Sequence, residues 1–280
     1  MREIDLHTHT NISDGSETPE DTVRHAASLG LKAIAITDHD GTGGVKRAQT
    51  EGKKLGVEVV AGLELGCGYL SREVHMLGYD IDPGSKTLSD KLRELVDDRD
   101  ERNRKMAEKM AADGMKVDLD ELKERYPDSV IGRPHMAMCL IEEGLAVSVQ
   151  DAFHRYLDPG KKYYIRRHFL TVPEAAALIR SAGGKAVIAH PGQYRLSDED
   201  MTALMELARS SGVSGLECCY SGYSEEDTKR YRQLAEKYGF CVTAGSDWHG
   251  THKPHIKMGS GINGELSAPY ELLVKLREHE

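Results

Sequence analysis

Apolar runs and amphipathic stretches alternate along most of the chain, and the apolar runs close on residues that can ligate or titrate. The opening stretch, Asp5-Leu-His-Thr-His-Thr-Asn-Ile-Ser-Asp-Gly15, carries a short hydrophobic strand into His7, His9 and Asp14. In extended backbone, residues two apart share a face, so both imidazoles can aim at one point. Thr18-Pro19-Glu20-Asp21 then marks a helix start, with Thr as N-cap, Pro in the first turn and an acid at N3. That helix runs to Gly30, and residues 32–37 read as a buried strand that delivers Asp38 and His39. A second helix reaches Gly56, residues 57–61 form a strand leading to Glu64, and residues 74–79 form the next, with His75 near its start.

The alternation stops at residue 83. From 83 to 164 the sequence is helical and highly charged, with shorter helices expected at 118–126, 134–143 and 147–156 after one long one. This segment reads as an inserted helical subdomain, and its charge run at 97–105 as one solvated helix face. The rhythm resumes at Thr171-Val-Pro-Glu174, a capping box. Strands at 185–189, 215–219 and 240–244 follow, the first closing on His190 and the last on Ser246-Asp247-Trp248-His249. A helix at 268–278 ends the pattern.

Seven strands joined mostly by helices predict an α/β fold with a parallel sheet and right-handed crossovers. An open sheet would spread the polar strand ends along a line. A closed barrel gathers every strand's C-terminal end at one mouth, and the recurrence of ligand-type residues there favours a (β/α) barrel over residues 1–82 and 165–280.

Charge and composition narrow the chemistry. The 280 residues carry 37 basic and 46 acidic side chains, a net charge of −9, which excludes a broad field for holding nucleic acid. No stretch approaches the ~20 apolar residues of a membrane span, and no leader pattern opens the sequence. The five cysteines show neither metal nor disulfide spacing, so a reduced, cytoplasmic protein without membrane contact is expected.

The thirteen histidines sharpen the picture. A lone histidine at a strand end is as often structural as functional. Six of them (His7, His9, His39, His75, His190 and His249) fall on one expected face with Asp14, Asp38, Glu64 and Asp247. Such a group would repel itself if protonated, and a multinuclear metal site accounts for it.

His-Thr-His with a downstream Asp, Thr-Asp-His, Gly-x-Glu, His-x-x-Gly-Tyr, Ala-His-Pro and Ser-Asp-x-His occur here in that order. This series resembles the PHP (polymerase and histidinol phosphatase) superfamily over residues 1–80 and about 170–250. The resemblance implies a distorted seven-stranded barrel that holds two or three divalent ions and hydrolyses phosphate esters. It implies a first ion on His7, His9, Glu64 and Asp247, a second on the bridging Glu64, His75 and His190, and a third on Asp14, His39 and His249. Asp38 is then a catalytic-site residue that orients a neighbouring imidazole. Ligands without thiolate suit Mn²⁺, Fe²⁺ or Zn²⁺. Ions about 3.5–4 Å apart would supply a hydroxide nucleophile at neutral pH.

The insertion is expected to carry specificity. Ile131-Gly-Arg-Pro-His135 and Pro159-Gly-Lys-Lys-Tyr-Tyr-Ile-Arg-Arg-His168 are its basic, loop-like spots. Arg133 and Lys161 are candidates to grip a substrate phosphate, with His135 a substrate-binding and catalytic candidate beside them. These spots, with Thr-Asp-His-Asp-x-Thr-Gly-Gly at 37–44, resemble a PHP subgroup that includes nucleoside 3′,5′-bisphosphate phosphatases and 5′→3′ oligonucleotide exonucleases. The expected activity is release of the 3′-phosphate of adenosine 3′,5′-bisphosphate. Alternatives are 5′→3′ trimming of short oligonucleotides, histidinol-phosphate hydrolysis and an inactive binding module. The expected partner is a small phosphorylated substrate, a nucleotide or short oligonucleotide, with no stable nucleic-acid complex.

Overall fold

Strands form where the apolar runs predict them. The structure, a computed structural model, describes residues 2–279. It contains β1 (Ile4–Thr8), α1 (Pro19–Ser28), β2 (Ala33–Ile36), α2 (Val45–Leu55), β3 (Glu58–Tyr69) and β4 (Arg72–Tyr79). A helical run follows: α3 (Lys86–Ala111), α4 (Leu119–Arg125), α5 (Arg133–Glu142) and α6 (Val149–Ala152), the last continuing as a π-turn over Phe153–Leu157. Then come β5 (Leu170–Thr171), α7 (Val172–Ser181), β6 (Lys185–Ile188), α8 (Asp198–Ser210) and β7 (Gly215–Tyr220). The remaining elements are α9 (Glu225–Tyr238), β8 (Cys241–Gly245) and α10 (Glu271–Glu278).

Seven strands pair in the order β1-β2-β3-β4-β6-β7-β8, with the two-residue β5 added beside β3. The path nearly closes on itself: Thr8 and Trp248 form a parallel bridge, and His9 N–H donates to the Trp248 carbonyl at 2.9 Å. Both faces of the strands are buried, as a sheet wrapped by helices requires. The helices start where their caps predict. Thr18 Oγ1 accepts from Asp21 N–H at 3.1 Å, and Thr171 and Ser224 each close a capping box with Glu174 and Asp227.

One expectation fails. The sheet is mixed, because β4 runs antiparallel to both β3 and β6. β3 extends seven positions past Glu58-Val-Val-Ala-Gly, through Gly66 and Gly68, glycines that read as loop in sequence. It turns back through Leu70-Ser71, where Leu70 takes a φ of 51° without a glycine to announce the turn. The reversal places His75. A parallel strand would carry a residue near its start to the far end of the barrel. The antiparallel β4 returns it to the mouth, where Gly66 pairs with His75.

The chain divides into two units, residues 1–90 with 169–280, and residues 91–168. The second unit packs its helices around Met106, Met110, Leu122, Met136, Leu140 and Leu157. Its charge run is not a purely solvated face. Arg99, Arg102 and Asn103 are buried, and Asn103 Nδ2 donates to the Ile131 carbonyl at 2.9 Å. Residues three and four apart share one side of a helix, so part of the run turns inward while Asp97, Glu101 and Arg104 stay exposed. No helix among the described residues is long and apolar enough to cross a membrane, and the five cysteines are free.

Candidate metal centre

The barrel mouth collects donors from six elements or their ends. Four overlapping groups offer one ligand atom per residue, each group's atoms lying within 4.8 Å of one another. They are His7–His9–Asp247, His7–Glu64–His190, His39–Glu64–His75 and His9–Asp14–His39–His249. Nine residues expected as ligands from the sequence are therefore together.

The spacing suits coordination. Two donors held about 2.1 Å from a tetrahedral ion stand roughly 3.4 Å apart. His7 Nε2 and His9 Nε2 lie 3.4 and 3.3 Å from Glu64 Oε2, and 3.6 and 3.3 Å from Asp247 Oδ1. The other Glu64 oxygen, Oε1, lies 2.8 Å from His75 Nδ1 and 3.0 Å from His190 Nε2. Glu64 thus faces different donors with its two oxygens. His249 Nε2 is 3.2 Å from Asp14 Oδ1, and His39 reaches both carboxylates, 3.2 Å from Glu64 and 3.9 Å from Asp14. His9 joins the Asp14 group as well as the first one, an overlap the motif order does not show.

Whether these residues fit cations is answered by their unsatisfied atoms. His7 Nε2, His9 Nε2, His249 Nε2 and Asp14 Oδ1 are buried and find no hydrogen-bond partner. A buried polar atom left unpaired costs about 1–3 kcal/mol, so these atoms, spread over the adjoining donor groups, call for cations. The electrostatics agree. Burial opposes ionisation of Glu64, but the imidazoles of His39, His75 and His7 outweigh it and hold the carboxyl well below its usual range. Burial likewise opposes Asp14 and Asp247, and His249 and Lys253 respectively lead the groups that hold them anionic. Burial disfavours charge on His9 and His75 too, yet neighbouring carboxylates lift them to about 9 and about 10. Burial wins at His39, which falls to about 3. Without an ion, protons supply the positive charge that these carboxylates draw in.

Supporting residues hold the donors, and several are absent from the sequence reading. Asp247 Oδ2 accepts from Tyr220 OH at 2.8 Å and pairs with Lys253 Nζ at 2.9 Å, which leaves Oδ1 toward the histidines. Asp5 accepts from Ser246 N–H at 2.9 Å and Gly259 N–H at 2.7 Å, fixing the turn before Asp247. Glu217 lies 3.0 Å from His7 Nδ1. Asp38 contacts no imidazole directly. Its oxygens accept from Thr10 N–H at 2.8 Å, Thr10 Oγ1 at 2.8 Å and Ser13 Oγ at 2.7 Å. Ser13 in turn stands 3.4 Å from His9 Nδ1, so Asp38 reaches that ring through the loop it pins.

The other expected residues lie in the second unit. Arg133 opens α5, its guanidinium 5.5 Å from the Phe153 ring centre and 5.6 Å from that of Tyr164. His135 is buried, and its Nδ1 accepts from Gly132 N–H at 3.1 Å, fastening the start of α5. Lys161 sits in the turn closed by its N–H to the Asp158 carbonyl.

Comparison with known proteins agrees with this geometry. The sequence profile of the PHP domain matches residues 5–241. A 3′,5′-nucleoside bisphosphate phosphatase of Chromobacterium violaceum is 32% identical over 251 residues, covering 89% of this chain and 88% of that protein. The 5′-3′ exoribonuclease Rnm of Escherichia coli is 30% identical over 257 residues, 91% of this chain and 87% of its own. Among solved structures, a Bifidobacterium adolescentis protein assigned as a metal-dependent phosphoesterase superposes with a TM-score of 0.85 at 32% identity, over 98% of this chain and 95% of that one.

Proposed function

The chain belongs to the PHP domain family and is a metal-dependent phosphoesterase, and on that premise we propose that it removes the 3′-phosphate from nucleoside 3′,5′-bisphosphates. The carrying observation is the set of unsatisfied, convergent nitrogens and carboxylate oxygens at the barrel mouth. Likeness to the bisphosphate phosphatase over nine-tenths of the chain favours that substrate. So does a net charge of −9, which suits a small ligand better than a long polyanion.

In this reading His7, His9, Glu64 and Asp247 hold one divalent ion, Glu64, His75 and His190 a second, and Asp14, His39 and His249 a third. Mn²⁺, Fe²⁺ and Zn²⁺ all suit such donors. Ions bound there supply Lewis acidity, which neutralises phosphate charge and acidifies water. The chain's own residues set the geometry. Tyr220 and Lys253 keep Asp247 Oδ1 turned toward His7 and His9. Asp38 holds the 10–13 loop and, through Ser13, the His9 ring. Arg133 and Lys161, in the helical unit, are the candidates for gripping a substrate phosphate. The rings of Phe153 and Tyr164 fix the plane of the Arg133 guanidinium, the preorganisation a bidentate contact needs. His135, buried at the start of α5 and fastened there through Nδ1, is the candidate for a role in binding or proton transfer.

A second reading, 5′→3′ trimming of short oligonucleotides, is favoured by the likeness to the exoribonuclease and by the exposed Arg166 near the basic turn, while Arg167 is buried. Product analysis with metal-reconstituted protein separates the two, since a phosphatase releases inorganic phosphate and a 5′→3′ exonuclease releases nucleoside monophosphates. Adenosine 3′,5′-bisphosphate, 5′-phosphorylated di- to pentanucleotides and histidinol phosphate form the panel. The bisphosphate should turn over fastest, with weak dependence on salt. Preference for the oligonucleotides, with a steep fall in affinity as salt rises, would establish the nuclease instead.

A further inference from the structure

β7 gives no side chain to the four donor groups, yet Glu217, fully buried in its middle, uses both carboxylate oxygens beside them. Oε1 lies 3.0 Å from His7 Nδ1, and Oε2 accepts from the His190 backbone N–H at 2.7 Å. We propose that Glu217 is a positioning residue that fixes the donor nitrogen of His7 and the backbone of His190 together, and so controls ion binding wherever those two histidines serve. The proposal rests on the reading of the barrel mouth as a metal centre.

At His7 the constraint falls on the tautomer. Nε2 is the nitrogen that faces Glu64 and Asp247, at 3.4 and 3.6 Å. It can offer its lone pair to an ion only while the ring proton sits on Nδ1. A carboxylate accepts and never donates, so Glu217 Oε1 holds the proton on Nδ1. At His190 the constraint falls on the backbone. That residue has φ 20° and ψ 61°, a strained conformation for anything but glycine, and its ring reaches to 3.0 Å from Glu64. A hydrogen bond from its N–H to an anionic oxygen is of the stronger, charge-assisted kind.

One group meets both demands because both its ends accept. An amide cannot. With its NH₂ toward His190, two donors would face each other. Flipped, the NH₂ would donate to His7 Nδ1 and drive the proton onto Nε2. The space is cut to fit: a Cβ at Gly245 would stand 2.2 Å from His7 Cβ and 2.8 Å from Glu217 Oε1. The Asp14 group is held differently, His249 by Nδ1 at 2.7 Å from the Asp247 carbonyl and His9 through Ser13. Glu217 should therefore act on part of the centre and leave that group alone.

Calorimetric titration of the metal-stripped full chain with Zn²⁺ tests this, together with long-range ¹H–¹⁵N spectra that read histidine tautomers in the Zn²⁺-loaded protein. Wild type should bind with His7 protonated on Nδ1. E217Q should lose about 10- to 100-fold in affinity for the ions that His7 and His190 serve. It should keep one tight phase, and Asp14→Asn in the same background should remove that phase. His7 protonated on Nε2 in wild type would overturn the proposal even if E217Q failed to fold. Equal binding by E217Q and wild type would overturn it, and so would a uniform loss across all phases. Absence of Zn²⁺ binding by wild type would sink the metal-centre reading instead.

Discussion

The two units use their ionisable residues in opposite ways. At the barrel mouth, charged groups are buried and held by partners far away in sequence. Asp5 meets Ser246 across 241 positions, and His7 meets Glu217 across 210. In the helical unit, charges are mostly exposed and paired within a turn: Arg104 with Glu101 and Glu108, Arg125 with Glu121, Arg155 with Asp151. A buried charge must be matched by geometry or neutralised, whereas an exposed pair is screened by water and contributes little. The barrel's polar residues are therefore committed to one arrangement, the arrangement that ions complete. In the helical unit, Arg99, Arg102, His135 and Arg167 depart from the exposed pattern and are buried.

The largest effect expected from this contrast is in the barrel. His9→Ala or Asp247→Asn should cut phosphate release by about a thousand-fold or more, since Lewis-acid stabilisation is worth several kcal/mol and each 1.4 kcal/mol is tenfold. Circular dichroism should show the fold retained. Full activity in either variant would break the contrast, leaving the buried cluster a structural one.

Acidity provides a second test, with opposite signs for the metal-free and loaded protein. His9 and His75 titrate near 9 and 10 in the metal-free fold against an ordinary value of 6.5. A group raised on folding stabilises fully below its unfolded pKa and ceases to do so as pH climbs through its folded one. The melting temperature of metal-stripped protein should thus fall between pH 7 and 10. Ion binding must expel the same protons, so the extra melting temperature conferred by Zn²⁺ should grow over that range. Parallel curves with and without Zn²⁺ would show that these histidines do not bind it.

The same contrast explains what was legible. Helix starts were readable because Thr18 and Thr171 act on residues three positions away. The donors were readable because each follows or opens its own apolar run. The direction of β4 was not, since Gly66 and Gly68 look like loop and the Leu70-Ser71 turn carries no Asn-Gly signal. Glu217 was not, because β7 reads as an apolar strand and its demand for a carboxylate comes from two remote histidines. Arg99 and Arg102 were hidden by their charged neighbours. Their burial is a property of helix phase against a core, which composition does not report.

In the helical unit, Arg133→Ala should lower kcat/KM for adenosine 3′,5′-bisphosphate by about 10- to 100-fold, the worth of a charge-assisted hydrogen bond of roughly 1.5–3 kcal/mol. Hydrolysis of p-nitrophenyl phosphate, which has no second phosphate, should change by less than about two-fold. Equal losses on both would mean that Arg133 serves packing against Phe153 and Tyr164 instead of recognition.

The smallest effect should come from Arg104→Ala, although Arg104 contacts two carboxylates. It bonds Glu101 at 2.8 and 3.0 Å and pairs with Glu108, all on the solvent side of α3. Those contacts are one turn apart, fully hydrated and screened by salt, and alanine is the better helix former. The melting temperature should move by no more than about 1 °C, and both substrates should turn over as in wild type. Met106→Ala, two residues away and on the core side of the same helix, provides the scale. It removes a fully buried side chain, for which a loss of about 2–5 kcal/mol is usual. A shift at Arg104 as large as that at Met106 would mean that the helical unit, like the barrel, is held by its charges, and the difference between the two units would disappear.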